Sequence, residues 1–240
     1  MHPILFKIGF LTVYSYGVML ALAVVVCAYF LSRDAKRSGI GAETVYDLVF
    51  WVILGGIIGA RIFYIYIAWD YFSKNLVEML MINRGGLAWQ GGFLGGSLAG
   101  IWFARKRKLS LRQLLDLTAP YIALGQSIGR IGCFFNGCCY GKPWIHGIFF
   151  PNLGARLYPT QLFETAGLFL IFIILKASRR FPHKPGMLFV LYLWLAAIER
   201  FTVEFYRADH DLLALGLSLA QYVSLVIFVV GIIVYFRFRK

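Results

Sequence analysis

The sequence predicts an all-α integral membrane protein of about seven transmembrane helices, with the N-terminus outside and the C-terminus cytoplasmic. Three observations lead there: an apolar composition, apolar blocks of membrane-spanning length, and basic residues that change sides loop by loop. Of the 240 residues, 60% are hydrophobic and only 15% are charged, and the mean hydropathy is +0.73. A soluble chain of this length needs far more polar surface. The formal net charge of +13 could suit nucleic acid. The basic residues sit in short caps between apolar blocks rather than on one face, which argues against that partner.

The apolar blocks place spans near residues 13–31, 45–68, 87–104, 114–135, 158–176, 186–205 and 213–236. Each approaches the ~20 residues needed to cross a hydrocarbon layer about 30 Å thick. Met1 to Phe10 holds one Lys and no small-residue cleavage site, so the first span is expected in the mature protein, and the chain is expected to form a single polytopic membrane domain. The fourth span is the most polar, with Asp116, Pro120, Gln126 and Arg130.

Loop charges give an independent reading. Arg33, Lys36 and Arg37 follow span one, and Arg105, Lys106, Arg107, Lys108 and Arg112 follow span three. Lys176, Arg179, Arg180 and Lys184 follow span five, and Arg237, Arg239 and Lys240 end the chain. Against these fifteen, the other side holds six: Lys7, Lys74, Arg84, Lys142, Arg156 and Arg207. The positive-inside rule then assigns the N-terminus and the even-numbered loops to the outside.

Three arginines remain within or beside spans two, four and six: Arg61, Arg130 and Arg200. Each costs about 2.5–3.5 kcal/mol at a helix centre, so each needs a partner or a polar cavity. Asp47, Asp116, Glu164, Glu199 and Glu204 are available acids. Structural ion pairs are one reading. The other follows from all three falling toward the outer half of their spans, where guanidinium forks would grip a phospholipid phosphate.

The glycine blocks at residues 54–60 and 91–96 have the small-xxx-small spacing that lets helix backbones approach closely. Residues 129–141 are rich in glycine and cysteine and include Asn136, which can donate and accept hydrogen bonds. Cys133, Cys138 and Cys139 cluster there, with packing, a disulfide, a metal or redox chemistry all open. Their spacing matches no common zinc signature, so no metal is expected. His2, His146, His183 and His210 fall in tails or loops, which leaves no histidine base within a span.

In these residues the chain resembles the prolipoprotein diacylglyceryl transferase family. The segment 129–141 is similar to the family signature, which opens Gly-Arg-x-Gly. Further blocks agree in order along nearly the whole chain: Tyr16-Gly17, Gly59-Ala60-Arg61 with Tyr64, Gly91-Gly92, Asp116 with Ala119-Pro120, residues 158–164, and Arg200, Glu204, Arg207 and Asp209. The resemblance implies transfer of a diacylglyceryl group from phosphatidylglycerol to the lipobox cysteine of a prolipoprotein signal peptide. The reaction would take place at the outer leaflet of a bacterial cytoplasmic (inner) membrane, among membrane lipids and without a cofactor. It implies that Arg130 binds the phosphatidylglycerol, with Arg200 a second essential charge and Tyr16, Asn136 and Glu204 in supporting catalytic roles. The reading of the intramembrane charges adds Arg61 and Arg200 to the phosphate site, and Gln90 falls at a catalytic position of the family.

Three positions depart from the family pattern. Gln90 stands where a histidine is usual, and Cys133 and Cys138 replace an Asn and a Glu. The expectation is therefore a divergent member whose thiol proton goes to water or to a carboxylate such as Glu204. A thiol-using lipid or acyl transferase on the same scaffold and a small anion transporter are the alternatives.

Overall fold

The computed structural model describes residues 1–8, 11–81, 85–209 and 211–239. Arg84, His210 and Lys240 lie outside the described residues. The chain divides into two compact units, one formed by Met1–Leu31 with Leu115–Lys240 and the other by Ser32–Leu114.

Helix dominates. In chain order the long helices are α1 (Ser15–Arg37), α2 (Ala42–Ile67), α4 (Trp89–Lys106), α5 (Leu111–Asn136), α6 (Thr160–Ser178), α7 (Met187–Glu204) and α8 (Leu219–Arg239). Among the described residues the four-residue helix α3 (Trp69–Phe72) and the short 3₁₀ turns Leu76–Leu80 and Ala214–Gly216 lie between them. Among the described residues, α1, α2, α6 and α8 are long and apolar enough to cross a membrane. The helices α4, α5 and α7 overlap the remaining expected spans but are more polar. They carry Gln90, Asp116, Gln126, Arg130, Glu199, Arg200 and Glu204.

The expectation of an all-α chain needs one correction. Among the described residues two small antiparallel strand pairs are present: β1 (Ile4–Ile8) with β2 (Leu11–Tyr14), and β3 (Pro143–Phe150) with β4 (Ala155–Leu157). Thr12 and Val13 are β-branched, which favours an extended backbone. The first long helix accordingly begins at Ser15 rather than at residue 13.

In the unit Ser32–Leu114, α2 packs on α4 through the two glycine blocks. A Cβ at Gly55 would stand 2.6 Å from the Ala99 Cβ and 2.8 Å from the Gly95 carbonyl oxygen. At Gly59 and Gly91 each added Cβ would run into the other glycine's carbonyl oxygen. The small residues therefore permit backbone-to-backbone contact, as their spacing suggests. Gly59→Leu is expected to push these helices apart and lower stability by about 1–3 kcal/mol or more. Gly17→Ala, where nothing stands within 4 Å of the added atom, should be neutral. Thermal unfolding of the two variants in detergent checks the contrast.

In the other unit, Ala119 and Ala123 of α5 pack against Leu168, Ile171 and Leu175 of α6 and Leu188 and Tyr192 of α7. Asp116, an unexpected polar group for a span, has a structural use. Its Oδ2 accepts from the Gly186 N–H at 2.6 Å and its Oδ1 from the Phe189 N–H at 2.8 Å. The carboxylate thus satisfies free N–H groups at the start of α7 and complements the helix dipole. Gly186, at φ +98°, makes the turn into that helix.

Apolar side chains also face outward. Val25, Ile62, Phe93, Leu170, Val226 and Ile233 are all exposed. Apolar surface of this extent calls for an apolar solvent.

Candidate active site

The backbone first brings one end of three helices together. After α5 the segment 137–142 is stitched to its neighbours: Gly141 N–H donates to the Tyr158 carbonyl at 3.0 Å and Lys142 N–H to the Tyr206 carbonyl at 2.8 Å. The end of α5, the start of α6 and the end of α7 therefore converge. Trp144 stacks on Tyr158 at 4.5 Å, and Tyr158 meets Tyr206 edge-on, adding an aromatic brace.

At this convergence lies Glu164, in the first turns of α6 and 1% exposed. Three guanidinium groups close on it. Arg130 of α5 reaches its Oε2 through Nε at 2.7 Å. Arg200 of α7 and Arg207 beyond it reach Oε1 at 2.9 and 3.3 Å. A second buried acid, Glu204, binds Arg200 Nη2 at 2.7 Å and Arg207 Nε at 3.5 Å, and accepts from Ser218 Oγ at 2.6 Å. Asp209 completes the set with two bonds to Arg207, from Nε at 3.0 Å and from Nη2 at 2.7 Å.

The arrangement is a network of alternating charge. Burial alone would weaken the proton affinity of Arg207, but Glu164 and Asp209 outweigh it and raise the pKa above the ordinary arginine value. Arg130 and Arg200 differ from Arg207 in access: their side chains remain 28% and 27% exposed, against 9%. Two guanidinium groups are thus fixed by buried carboxylates and still reachable by an anion.

Of the other expected site residues, Tyr16 lies in the first turn of α1, where that helix crosses α5. A Cβ at Gly132 would stand 3.1 Å from the Tyr16 ring, and the Arg130 guanidinium and the Cys133 thiol are among the tyrosine's neighbours. Asn136 is the exposed last residue of α5. Glu204 is part of the network just described, with both carboxylate oxygens engaged.

Arg61 and Gln90 belong to the other unit. All five N–H donors of Arg61 go to backbone carbonyls of one loop: Nε to Met79 at 2.9 Å, Nη1 to Gly85 and Gly86 at 2.7 and 3.0 Å, and Nη2 to Glu78 and Met81 at 2.5 and 3.3 Å. A guanidinium has five such donors, so this one clasps the loop to α2 with its whole capacity. Gln90 is exposed in the first turn of α4.

Glu164 and Arg207 were not singled out as site residues from the sequence. Both stood in the blocks that carry the family resemblance, but by residue type alone Glu164 is one acid at the start of an apolar block and Arg207 a basic residue assigned to a loop. Neither type of residue is expected to be almost fully buried unless paired.

Helices apolar and long enough to cross a membrane, together with a buried network of charge, define a helical membrane protein. The chain belongs to the prolipoprotein diacylglyceryl transferase family, whose pattern it matches over residues 3–237. A phosphatidylglycerol–prolipoprotein diacylglyceryl transferase of Clostridium tetani is 33% identical over 252 residues, covering 100% of both chains. The transferase of the same description from Finegoldia magna is 34% identical, covering 100% of this chain and 97% of its own. That of Bacillus mycoides is 36% identical, covering 98% and 91%.

Proposed function

We propose that this chain transfers the diacylglyceryl group of phosphatidylglycerol to the lipobox cysteine of a prolipoprotein, in the bacterial cytoplasmic (inner) membrane. The observation that carries the proposal is the convergence of Arg130, Arg200 and Arg207 on Glu164 in a member of this family. In the reaction the thiol sulfur bonds to the glyceryl carbon and the bond from that carbon to the phosphate oxygen breaks. Glycerol phosphate leaves with the electron pair, and the thiol proton goes to a base.

The phosphodiester is assigned to Arg130 and Arg200, the two accessible guanidinium groups. Held in place before the reaction, they would stabilise charge as it develops on the leaving phosphate. Arg207 is assigned to the support of Glu164, and Tyr16 and Asn136 to the rim of the site. Arg61, with its donors committed to carbonyls, is assigned a positioning role in its own unit instead of a direct phosphate contact.

The topology in this proposal is one polytopic domain of seven spans, with the N-terminus outside. Its support is the loop charge asymmetry of fifteen against six. The site would then face the outer leaflet, where an exported precursor presents its cysteine.

The proton needs an acceptor, and Gln90 has no basicity at neutral pH. Glu204 is poorly suited, because Ser218 and two arginines occupy its oxygens. Glu199 is the better candidate: among the described residues its Oε1 is buried without a hydrogen-bond partner, whereas the equally buried Glu204 Oε2 is held by Arg200 at 2.7 Å. The charged neighbours of Glu199 are Glu164, Arg130 and Arg200. Gly167 of α6 leaves room for it, since a Cβ there would stand 2.8 Å from the Glu199 Cγ. Glu199→Gln should slow transfer at neutral pH and recover as the pH approaches the thiol pKa of about 8.5, where thiolate forms unaided. A pH profile parallel to the wild type would count against this assignment.

Cells depleted of their own transferase test the function as a whole. Supplied with this chain, they should regain lipidated prolipoprotein by mass spectrometry, and should not when supplied with Arg130→Ala. Anion flux without any lipid-linked product would instead support the transporter alternative.

A further inference from the structure

We infer that Cys133, Cys138 and Cys139 form a binding site for one soft, thiophilic metal ion, Zn(II) or Cu(I), at the C-terminal end of α5. Their three Sγ atoms all lie within 4.8 Å of one another. Three sulfurs about 2.3 Å from a shared ion stand roughly 3.8–4.0 Å apart, so a shift of less than about 1 Å closes the set. Thiolates without a carboxylate or imidazole partner favour soft ions over magnesium or calcium.

The convergence is built by the backbone. The helix ends in a left-handed turn at Gly137, φ +74°. There the Cys138 N–H donates to the Cys133 carbonyl at 3.3 Å and the Gly137 N–H to the Phe134 carbonyl at 3.2 Å. This pair of bonds is the Schellman cap, which folds the residue after the glycine back over the last full turn. It sets Cys138 above Cys133. Cys139 then adopts φ +61°, a left-handed conformation rarely taken by a residue with a side chain, and its sulfur joins the other two.

Two fully buried side chains of α6 hold the turn from behind. Gln161 Nε2 donates to the Cys138 carbonyl at 2.6 Å and Thr160 Oγ1 to the Cys139 carbonyl at 2.7 Å. Supporting bonds of this kind orient metal ligands. A disulfide accounts for less of this geometry. Cys138 and Cys139 are adjacent, with Cα atoms about 3.8 Å apart, below the roughly 4.4–6.8 Å usual for a disulfide, and a bridge from Cys133 to either one leaves the third sulfur unused. On binding, each thiol releases its proton to solvent as its sulfur–metal bond forms, with no change in oxidation state.

The test uses the full chain, purified in detergent under argon with a thiol-free reductant and stripped of metal by a chelator. Zn(II) is titrated against a chromophoric chelator, and Cu(I) against bicinchoninate. One equivalent of one of these ions should bind, at least 100-fold more weakly in Cys138→Ser and in the triple serine variant, and unchanged in Cys27→Ser. Gln161→Leu keeps all three sulfurs and should weaken binding about tenfold. Because a serine variant could fold poorly, Co(II) added to the wild type gives a second reading through its sulfur-to-cobalt absorption in the near ultraviolet. Absence of that band, equal affinity in the triple variant, or a cysteine bridge found by peptide mapping of protein isolated without reductant would overturn the inference.

Discussion

Glu164→Gln is expected to lower stability by about 3–5 kcal/mol, the usual effect of removing one partner from a buried ion pair. The reason is the number of charges involved. A carboxylate that is 1% exposed faces Arg130, Arg200 and Arg207 at 2.7, 2.9 and 3.3 Å. The amide keeps the shape but removes the negative charge, leaving three guanidinium groups to repel one another in a medium that screens poorly. Arg207 retains Asp209 and Glu204, and Arg200 retains Glu204, so Arg130 is the most exposed to the loss. Unfolding in nanodiscs measures the effect. Stability near that of the wild type would mean that Glu164 does not anchor the network.

The second large effect concerns chemistry. Arg130→Ala should reduce transfer by about 10²–10³-fold, roughly 2.7–4 kcal/mol of transition-state stabilisation, with little change in the unfolding midpoint. Glu164 would still be paired with Arg200 and Arg207, so the helices keep their anchor. Arg130→Lys should recover only part of the rate, because an ammonium is a point charge and lacks the planar fork that fits a phosphate. Kinetics on purified variants, with unfolding measured in parallel, separate this prediction from the first. Loss of stability in Arg130→Ala equal to that of Glu164→Gln would turn the arginine into a structural residue.

Much of the helical layout was legible because hydropathy is a local property. The apolar block expected at residues 186–205 is the helix Met187–Glu204, and the block at 158–176 is Thr160–Ser178. The strand pairs were hidden for the same reason, since a few β-branched and aromatic residues beside an apolar block look like its edge. The close approach of Gly59 and Gly91 was readable from spacing, which a helix converts directly into a face.

Partnership was harder to read. The arginines at 130 and 200 stood out as expensive, but nothing local says that Glu164, rather than Asp116 or Glu204, is their shared partner. The bonds between residues 141–142 and their neighbours at 158 and 206 make that choice. Asp116 was one of the acids available to the arginines, and its oxygens are taken by backbone N–H groups at the start of α7, with His183 Nε2 3.7 Å from Oδ2. Arg61 looked like the other arginines and is saturated by carbonyls. The three cysteines matched no spacing pattern because they meet through two left-handed residues, which no pattern of residue types encodes.

The most direct measurement is transfer by the purified chain in vesicles of phosphatidylglycerol supplied with a lipobox peptide. The expected result is a peptide heavier by one diacylglyceryl group, attached as a thioether to the cysteine, with one glycerol phosphate released per peptide modified. An unmodified peptide in the presence of folded protein, or a modified peptide at wild-type rate with Arg130→Ala, would contradict it.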